Sequence, residues 1–308
     1  MLGSPLDQLC EFVDPGACHL HKLPDRIWLF GGPVESAENP EASLRDSFRR
    51  QTLVMPPSEA SSWLGSLDLP ENYDEWWAFS GYSDLLEFER DACYLARATV
   101  LFAESPGALA ELGALAIDNA LVDRLIVVVP TRYFDPANRR SFLNLGPLKR
   151  AGDRRHLCVI SATEEKNLHS DDVQLVVESV QKWLPPFPRT KVLGTGNPTH
   201  RLLLLADLVD LLLVSKAEEL IFACRHFEVA YSDDEITQAL KLLDFFHLVK
   251  IEQRGTEMFY VRRAVSGAPW VDYTSKGKEH FDRSRFKVNC NEWIDTQPRR
   301  KSILERAR

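Results

Sequence analysis

Between Ile27 and about Leu184, short apolar runs alternate with helical patterns, and this alternation limits the fold more than any other feature of the chain. Such a pattern fits a parallel sheet covered by helices. The runs Ile27 to Phe30, Thr52 to Met55, Thr99 to Phe102, Arg124 to Val129 and His156 to Ile160 predict strands. Helices are expected near Pro40 to Arg50, Asp84 to Ala98, Pro106 to Ala120 and Asp171 to Trp183, the last with Ser170 and Asp171 as cap candidates. The expected class is α/β with a doubly wound parallel sheet, in which ligands bind beyond the carboxyl ends of the strands.

The segment Leu184-Pro185-Pro186-Phe187-Pro188, with Gly194-Thr195-Gly196-Asn197-Pro198 after it, can continue neither a helix nor a central strand. The expected domains are therefore residues 1–184, a linker at 185–199, and residues 200–308. The last region predicts helices over Arg201 to Val214, Lys216 to Phe227 and Ser232 to Phe246. Two strand-like runs follow, Leu248 to Gln253 and Glu257 to Arg263, around Arg254-Gly255-Thr256. Three helices and a hairpin form the pattern of a winged helix.

Composition excludes several classes. No stretch approaches the roughly 18 apolar residues of a membrane span. The first thirty residues carry Asp7, Glu11 and Asp14 where a secretory leader would be basic and then apolar. A cytoplasmic protein without a membrane partner is expected. The six cysteines are widely spaced, which argues against a disulfide framework. Cys18-His19-Leu20-His21 lacks a second ligand pair at a zinc-like spacing, so a surface segment and no metal are expected there. A net charge of -8 opposes polyanion binding by the whole molecule. A basic tail from Arg283 onward, with Arg285 and Lys287, and the hairpin residues Arg254, Arg262 and Arg263 are the candidate nucleic-acid contacts. Against direct groove reading, the third helix opens with Ser232-Asp233-Asp234-Glu235, an acidic end that repels phosphates.

The candidate chemistry lies in Glu104-Ser105-Pro106-Gly107-Ala108-Leu109-Ala110-Glu111-Leu112-Gly113. Pro106 suits the first turn of a helix. The loop Glu104-Ser105-Pro106-Gly107 then offers backbone N–H groups and a positive helix end to phosphate or ribose oxygens. Glu111 stands about one turn inside this nearly all-apolar helix. A carboxylate there can act as a nucleophile, or simply complement the helix dipole, and position alone favours the dipole role. A second carboxylate shifts the balance. Glu89 lies in the apolar stripe of Leu85, Phe88, Ala92, Cys93 and Ala96, where an acid needs a partner or a purpose. Phe30-Gly31-Gly32-Pro33 ends the first strand with little side chain, as an ordinary turn or as room for a ligand.

Phe30-Gly31-Gly32, Glu89, and Glu104-Ser105-Pro106-Gly107 followed by Glu111-Leu112-Gly113 together resemble the nucleoside 2-deoxyribosyltransferase superfamily. More closely, the chain resembles the deoxyribosyltransferase-like effectors encoded beside bacterial retron reverse transcriptases. Arg140-Ser141-Phe142-Leu143-Asn144-Leu145-Gly146-Pro147 is similar to a segment of those effectors. The resemblance implies that Glu111 attacks the anomeric carbon, that Glu89 orients the nucleophile or the ribose, and that Glu104 lies near the leaving base, with Phe30, Gly31, Gly32, Ser105 and Gly107 lining the substrate. This sequence has Glu at both supporting positions, where the metabolic enzymes often have Asp. It further implies an antiphage toxin that hydrolyses NAD+ to nicotinamide and ADP-ribose without a cofactor. The reverse transcriptase with its msDNA and msrRNA would restrain it in a higher-order assembly. The alternatives are a housekeeping nucleoside deoxyribosyltransferase or nucleotide hydrolase, and a non-enzymatic, nucleotide-sensing DNA-binding regulator.

Overall fold

The structure, a computed structural model, describes residues 4–34, 43–59, 61–134, 139–161, 167–184, 191–262, 269–277 and 280–307. Arg263, residues 185–190 of the expected linker, and Pro40 to Ala42 of the first expected helix lie outside them. The chain divides into two compact units, one of residues 24–77 and 84–186, the other of residues 1–23, 78–83 and 187–308.

The first unit is mixed α/β around a five-stranded, wholly parallel sheet. In spatial order its strands are Leu67–Asp68, Ile27–Phe30, Ala98–Phe102, Leu125–Pro130 and Leu157–Ile160. The central strands are buried on both faces, which explains their uninterrupted Val/Ile/Leu character. Ile27, Leu29, Val100, Phe102, Ile126 and Val128 form a core with the helices Leu44–Leu53 and Ser170–Trp183. On the opposite face the Trp28 indole N–H donates to the Ala92 carbonyl (3.1 Å), which seats the helix Leu85–Tyr94 there. Strand order reverses between Ile27–Phe30 and Ala98–Phe102, and the crevice beyond their carboxyl ends is the ligand position in such sheets.

The expected strand Thr52 to Met55 does not form. Ser43 caps a helix that runs on to Leu53, and Leu53 and Val54 are 72% and 83% exposed, so the β-branched run has no core to enter. The second strand is instead the two-residue edge Leu67–Asp68. The last sheet helix starts at Ser170, with His169 at the cap position and no side-chain cap bond.

In the second unit the helices Pro198–Leu212, Ala217–His226 and Asp233–Phe245 precede the hairpin Val249–Arg254/Glu257–Arg262. Gly255 supplies the positive φ of its turn (+61°). The short strand Val214–Ser215 adds to the hairpin through Tyr260 and Val261.

Residues 1–23, expected with the sheet, belong to this second unit. His19–Leu20 pairs with Val271–Asp272 on one side and Lys191–Val192 on the other, and the helix Pro5–Phe12 packs on Ala217–His226 and Arg283–Asp295. The expected surface segment around Cys18 is partly interior, with Cys18 and Leu20 buried, His19 half-buried and His21 exposed.

The basic tail is also folded, as the helices Arg283–Asp295 and Pro298–Ala307. Asp207, wholly buried on the apolar helix Pro198–Leu212, accepts the N–H groups of Trp270 (2.8 Å) and Val271 (3.3 Å) on one oxygen and the Arg283 guanidinium (2.8 Å) on the other. Replacing Asp207 by Ala strands the two N–H groups and leaves Arg283 only its second acid, Asp210, so the denaturation midpoint should fall, by about 2–4 kcal/mol in stability. Arg285→Ala, at an exposed position, should stay within about 0.5 kcal/mol of the parent. A urea titration of both variants measures the contrast.

Candidate active site

Glu104 follows the strand Ala98–Phe102 and reaches across to the chain that follows Ile27–Phe30. Its Oε1 accepts the N–H groups of Gly32 (2.9 Å) and Arg45 (3.0 Å), and its Oε2 that of Leu44 (2.6 Å). Leu44 and Arg45 open the helix Leu44–Leu53, so Glu104 satisfies two N–H groups that a helix start leaves unpaired. A carboxylate with three backbone donors is a strong structural tie.

The same tie explains the glycines. A Cβ on Gly32 would stand 2.7 Å from Ser43 Cβ, and one on Gly31 would stand 2.8 Å from Arg45 Cβ and 3.0 Å from Phe102 Cβ. The space a side chain would take is filled by the protein's own helix start. Phe30 is buried, 6.2 Å between ring centroids from Trp28. Ser105 caps the helix Pro106–Ile117 by accepting the Ala108 N–H (3.2 Å), while Gly107 is exposed, with Ser105 Oγ 4.0 Å from where a Cβ would stand.

Glu111 projects from this helix, which packs against Leu85–Tyr94, the carrier of Glu89. Oε2 of Glu111 is shielded from solvent and accepts no hydrogen bond among the described residues. Burial pushes the Glu111 carboxyl up to about 7; the negative charges of Glu89 and Glu71 add to the rise and Arg45 opposes it. Glu89 is likewise pushed up to about 7, chiefly by burial and further by Glu71. The Trp76 indole N–H, 3.2 Å from Oε1, pulls it back down. A pKa near neutrality suits a carboxyl for general acid–base work, whereas a carboxylate nucleophile acts in its ionised form, which Glu111 takes above about pH 7.

Three members of this group escape sequence reasoning. Arg45, 3% exposed, donates to both oxygens of Glu71 (2.6 and 3.2 Å) and to the Leu29 carbonyl (3.3 Å). Glu71 stands on the single turn Pro70–Asn72, and Trp76 is wedged edge-on against Trp28 and Phe88. A charged residue beside Leu44 and close to the core-facing Phe48 was the available signal for Arg45; nothing local marks Glu71.

The basic candidates divide differently. Arg262, Arg283 and Lys287 all converge on Asp210, with contacts of 2.8 Å from Arg262 and from Lys287. Their charges are engaged internally; burial pushes the Asp210 carboxyl up, and Lys287 and Arg283 outweigh it and hold the group below its ordinary range. Arg254 has Nε and one terminal nitrogen buried without a hydrogen bond among the described residues. Arg285 is exposed and forms no ion pair among them.

This is an α/β protein with a wholly parallel sheet and, on two helices in contact with each other, a pair of carboxylates of raised pKa. The chain belongs to the STM3845 retron effector family, whose model matches residues 41–251, from the helix behind Glu104 to the first strand of the hairpin. It is also 38% identical over 66 residues to an Escherichia coli protein named "Retron Ec73 putative ribosyltransferase/DNA-binding protein". That match spans about a fifth of each chain, 21% of this one and 20% of the relative.

Because the folded state raises the Glu111 carboxyl from 4.5 to about 7, this group's contribution to stability is present below pH 4.5 and is lost as pH rises through 7. Ionised Glu111 at pH 8 then costs at most about 3 kcal/mol. Glu111→Gln should raise the melting temperature at pH 8 by several degrees, and the gain should shrink towards zero at pH 5. Melting curves of the two proteins at both pH values check the sign.

Proposed function

We propose that the first unit cleaves an N-glycosidic bond, with Glu111 as nucleophile and NAD+ as substrate. The observation that carries this is the pairing of Glu111 and Glu89, two half-buried carboxylates on helices in contact with each other, each pushed up to about 7 and Glu111 in part by the charge of Glu89. The relative's name, which includes ribosyltransferase, agrees with glycosyl chemistry.

In the first step a Glu111 oxygen bonds to C1′ while the C1′–N bond breaks, and its electron pair leaves with the base. Nicotinamide departs neutral, because the bond electrons cancel the pyridinium charge, so no acid need protonate it. In the second step water attacks C1′, Glu89 takes its proton, and the ester oxygen returns to Glu111 as carboxylate. ADP-ribose forms with retention, and one proton is released per turnover. Glu104, held by three backbone donors, shapes the crevice in this account, while the open first turn at Gly107 remains a place for substrate oxygens.

In the second unit, three helices and a hairpin joined by the short strand Val214–Ser215 support a winged-helix reading. The exposed acids Asp233, Asp234 and Glu235 on its third helix favour a protein surface, such as the reverse transcriptase, over a DNA groove. Among the described basic candidates, contact with msDNA is assigned to Arg285 and Arg254, since Arg262, Arg283 and Lys287 are held in ion pairs with Asp210 and Arg283 also with Asp207. In the family context the enzyme acts as an antiphage toxin restrained by its retron.

Purified protein incubated with NAD+, and separately with nucleosides, should release nicotinamide and ADP-ribose from the first and leave the second unchanged. The rate should fall below about pH 7 as Glu111 takes up its proton. Glu111→Gln should lower the rate by at least about a hundredfold. Chromatography that finds base exchange between nucleosides would favour the deoxyribosyltransferase alternative, and unchanged NAD+ loss in Glu111→Gln would refute the assignment of the nucleophile. For the second unit, truncation at 283 is unsuitable, because Ile294 and Ile303 belong to its core. Arg285→Ala should instead weaken binding to branched DNA and flatten its salt dependence by roughly one counterion.

A further inference from the structure

Arg45 is a buried cation at the mouth of the strand-reversal crevice, bonded to the carbonyl of Leu29, one residue before the strand ends. Its ionic partner, Glu71, is of another kind. It is 41% exposed and stands on one turn of 3-10 helix, so little apart from the guanidinium fixes its carboxylate. The arginine is also incompletely satisfied, since Nε is shielded and bonded to nothing among the described residues. A planar guanidinium takes a carboxylate and a phosphate in the same two-pronged geometry.

We propose that Arg45 is the phosphate subsite of the crevice, and that Glu71 occupies its fork as a displaceable stand-in for a phosphate group of the substrate. This rests on the crevice being the substrate site described above, and it narrows the substrate to phosphate-bearing nucleotides as against free nucleosides. On entry the phosphate takes the two forked N–H donors and Glu71 swings into water, for which its exposure already prepares it. The other carboxylates around the fork explain the need for such a device. Glu89 and Glu111 repel an incoming anion, and with Glu71 in place Arg45, the cation that opposes them at Glu111, is already neutralised. The acidic partner also keeps a buried arginine from standing unpaired while the site waits.

Calorimetric titration of the full chain with inorganic pyrophosphate tests this, with adenosine as the uncharged comparison. Glu71→Ala should bind pyrophosphate at least about fivefold more tightly than the parent, equivalent to about 1 kcal/mol. Adenosine binding should not change. Adding Arg45→Lys, which keeps the charge but loses the fork, should abolish the gain. The proposal is overturned if Glu71→Ala gains nothing, if adenosine gains equally, or if the gain survives Arg45→Lys. Should the double variant fail to fold, the pyrophosphate-to-adenosine contrast in Glu71→Ala alone decides. Pyrophosphate has no glycosidic bond. Tightened binding with intact NAD+ would therefore end the catalytic proposal and leave the subsite, and the reverse result would do the opposite.

Discussion

The Glu104 carboxylate, with the backbone N–H groups of Gly32, Leu44 and Arg45 gathered on it, is the interaction on which the rest of the site depends. It joins the ends of the two strands that flank the order reversal and fixes the start of the helix that carries Arg45. Each such bond to a charged acceptor contributes about 1.5–3 kcal/mol, and the glycines at 31 and 32 are what allow the close approach. Without this tie the guanidinium would have no fixed origin, and neither would the crevice.

Around that anchor the protein keeps charges where folding alone would not place them. Two half-buried carboxylates near neutrality, a third on an exposed turn and one buried arginine form a cluster that is destabilising as Glu89 and Glu111 ionise. The second unit arranges charge to the opposite effect, since Asp207 and Asp210 draw Arg283 and Lys287 of the helix Arg283–Asp295, and Arg262 of the hairpin, onto an apolar helix and hold them there. One cluster leaves groups short of partners, as reactive sites do, and the other satisfies them, as a core does.

Much of this was legible in the sequence because burial on both faces leaves a plain mark. The runs at Ile27, Thr99 and Arg124 are apolar without alternation, and the structure places strands there within a residue or so. Glu89 stood out because it interrupted an apolar stripe. Thr52 to Met55 misled because a β-branched run at a helix end imitates a strand, while the real edge strand is too short to carry a period. Arg45 and Glu71 meet across 26 residues, and Arg283 and Asp207 across 76, so their pairing is a product of the tertiary fold. The basic tail looked free for the same reason. Its partners lie on a helix whose apolar character conceals two aspartates.

The central claim, that Glu111 forms the bond to the sugar, is tested most directly by trapping that bond. The protein would be incubated with a 2′-fluoroarabino analogue of NAD+, which slows release of the sugar, and then analysed by intact-mass and peptide-mapping mass spectrometry. The account predicts a mass increase equal to the glycosyl fragment, located on the peptide that contains Glu111 and absent from Glu111→Gln. An adduct on Glu89 or Glu104, or release of nicotinamide from the analogue without any adduct on Glu111, would contradict it.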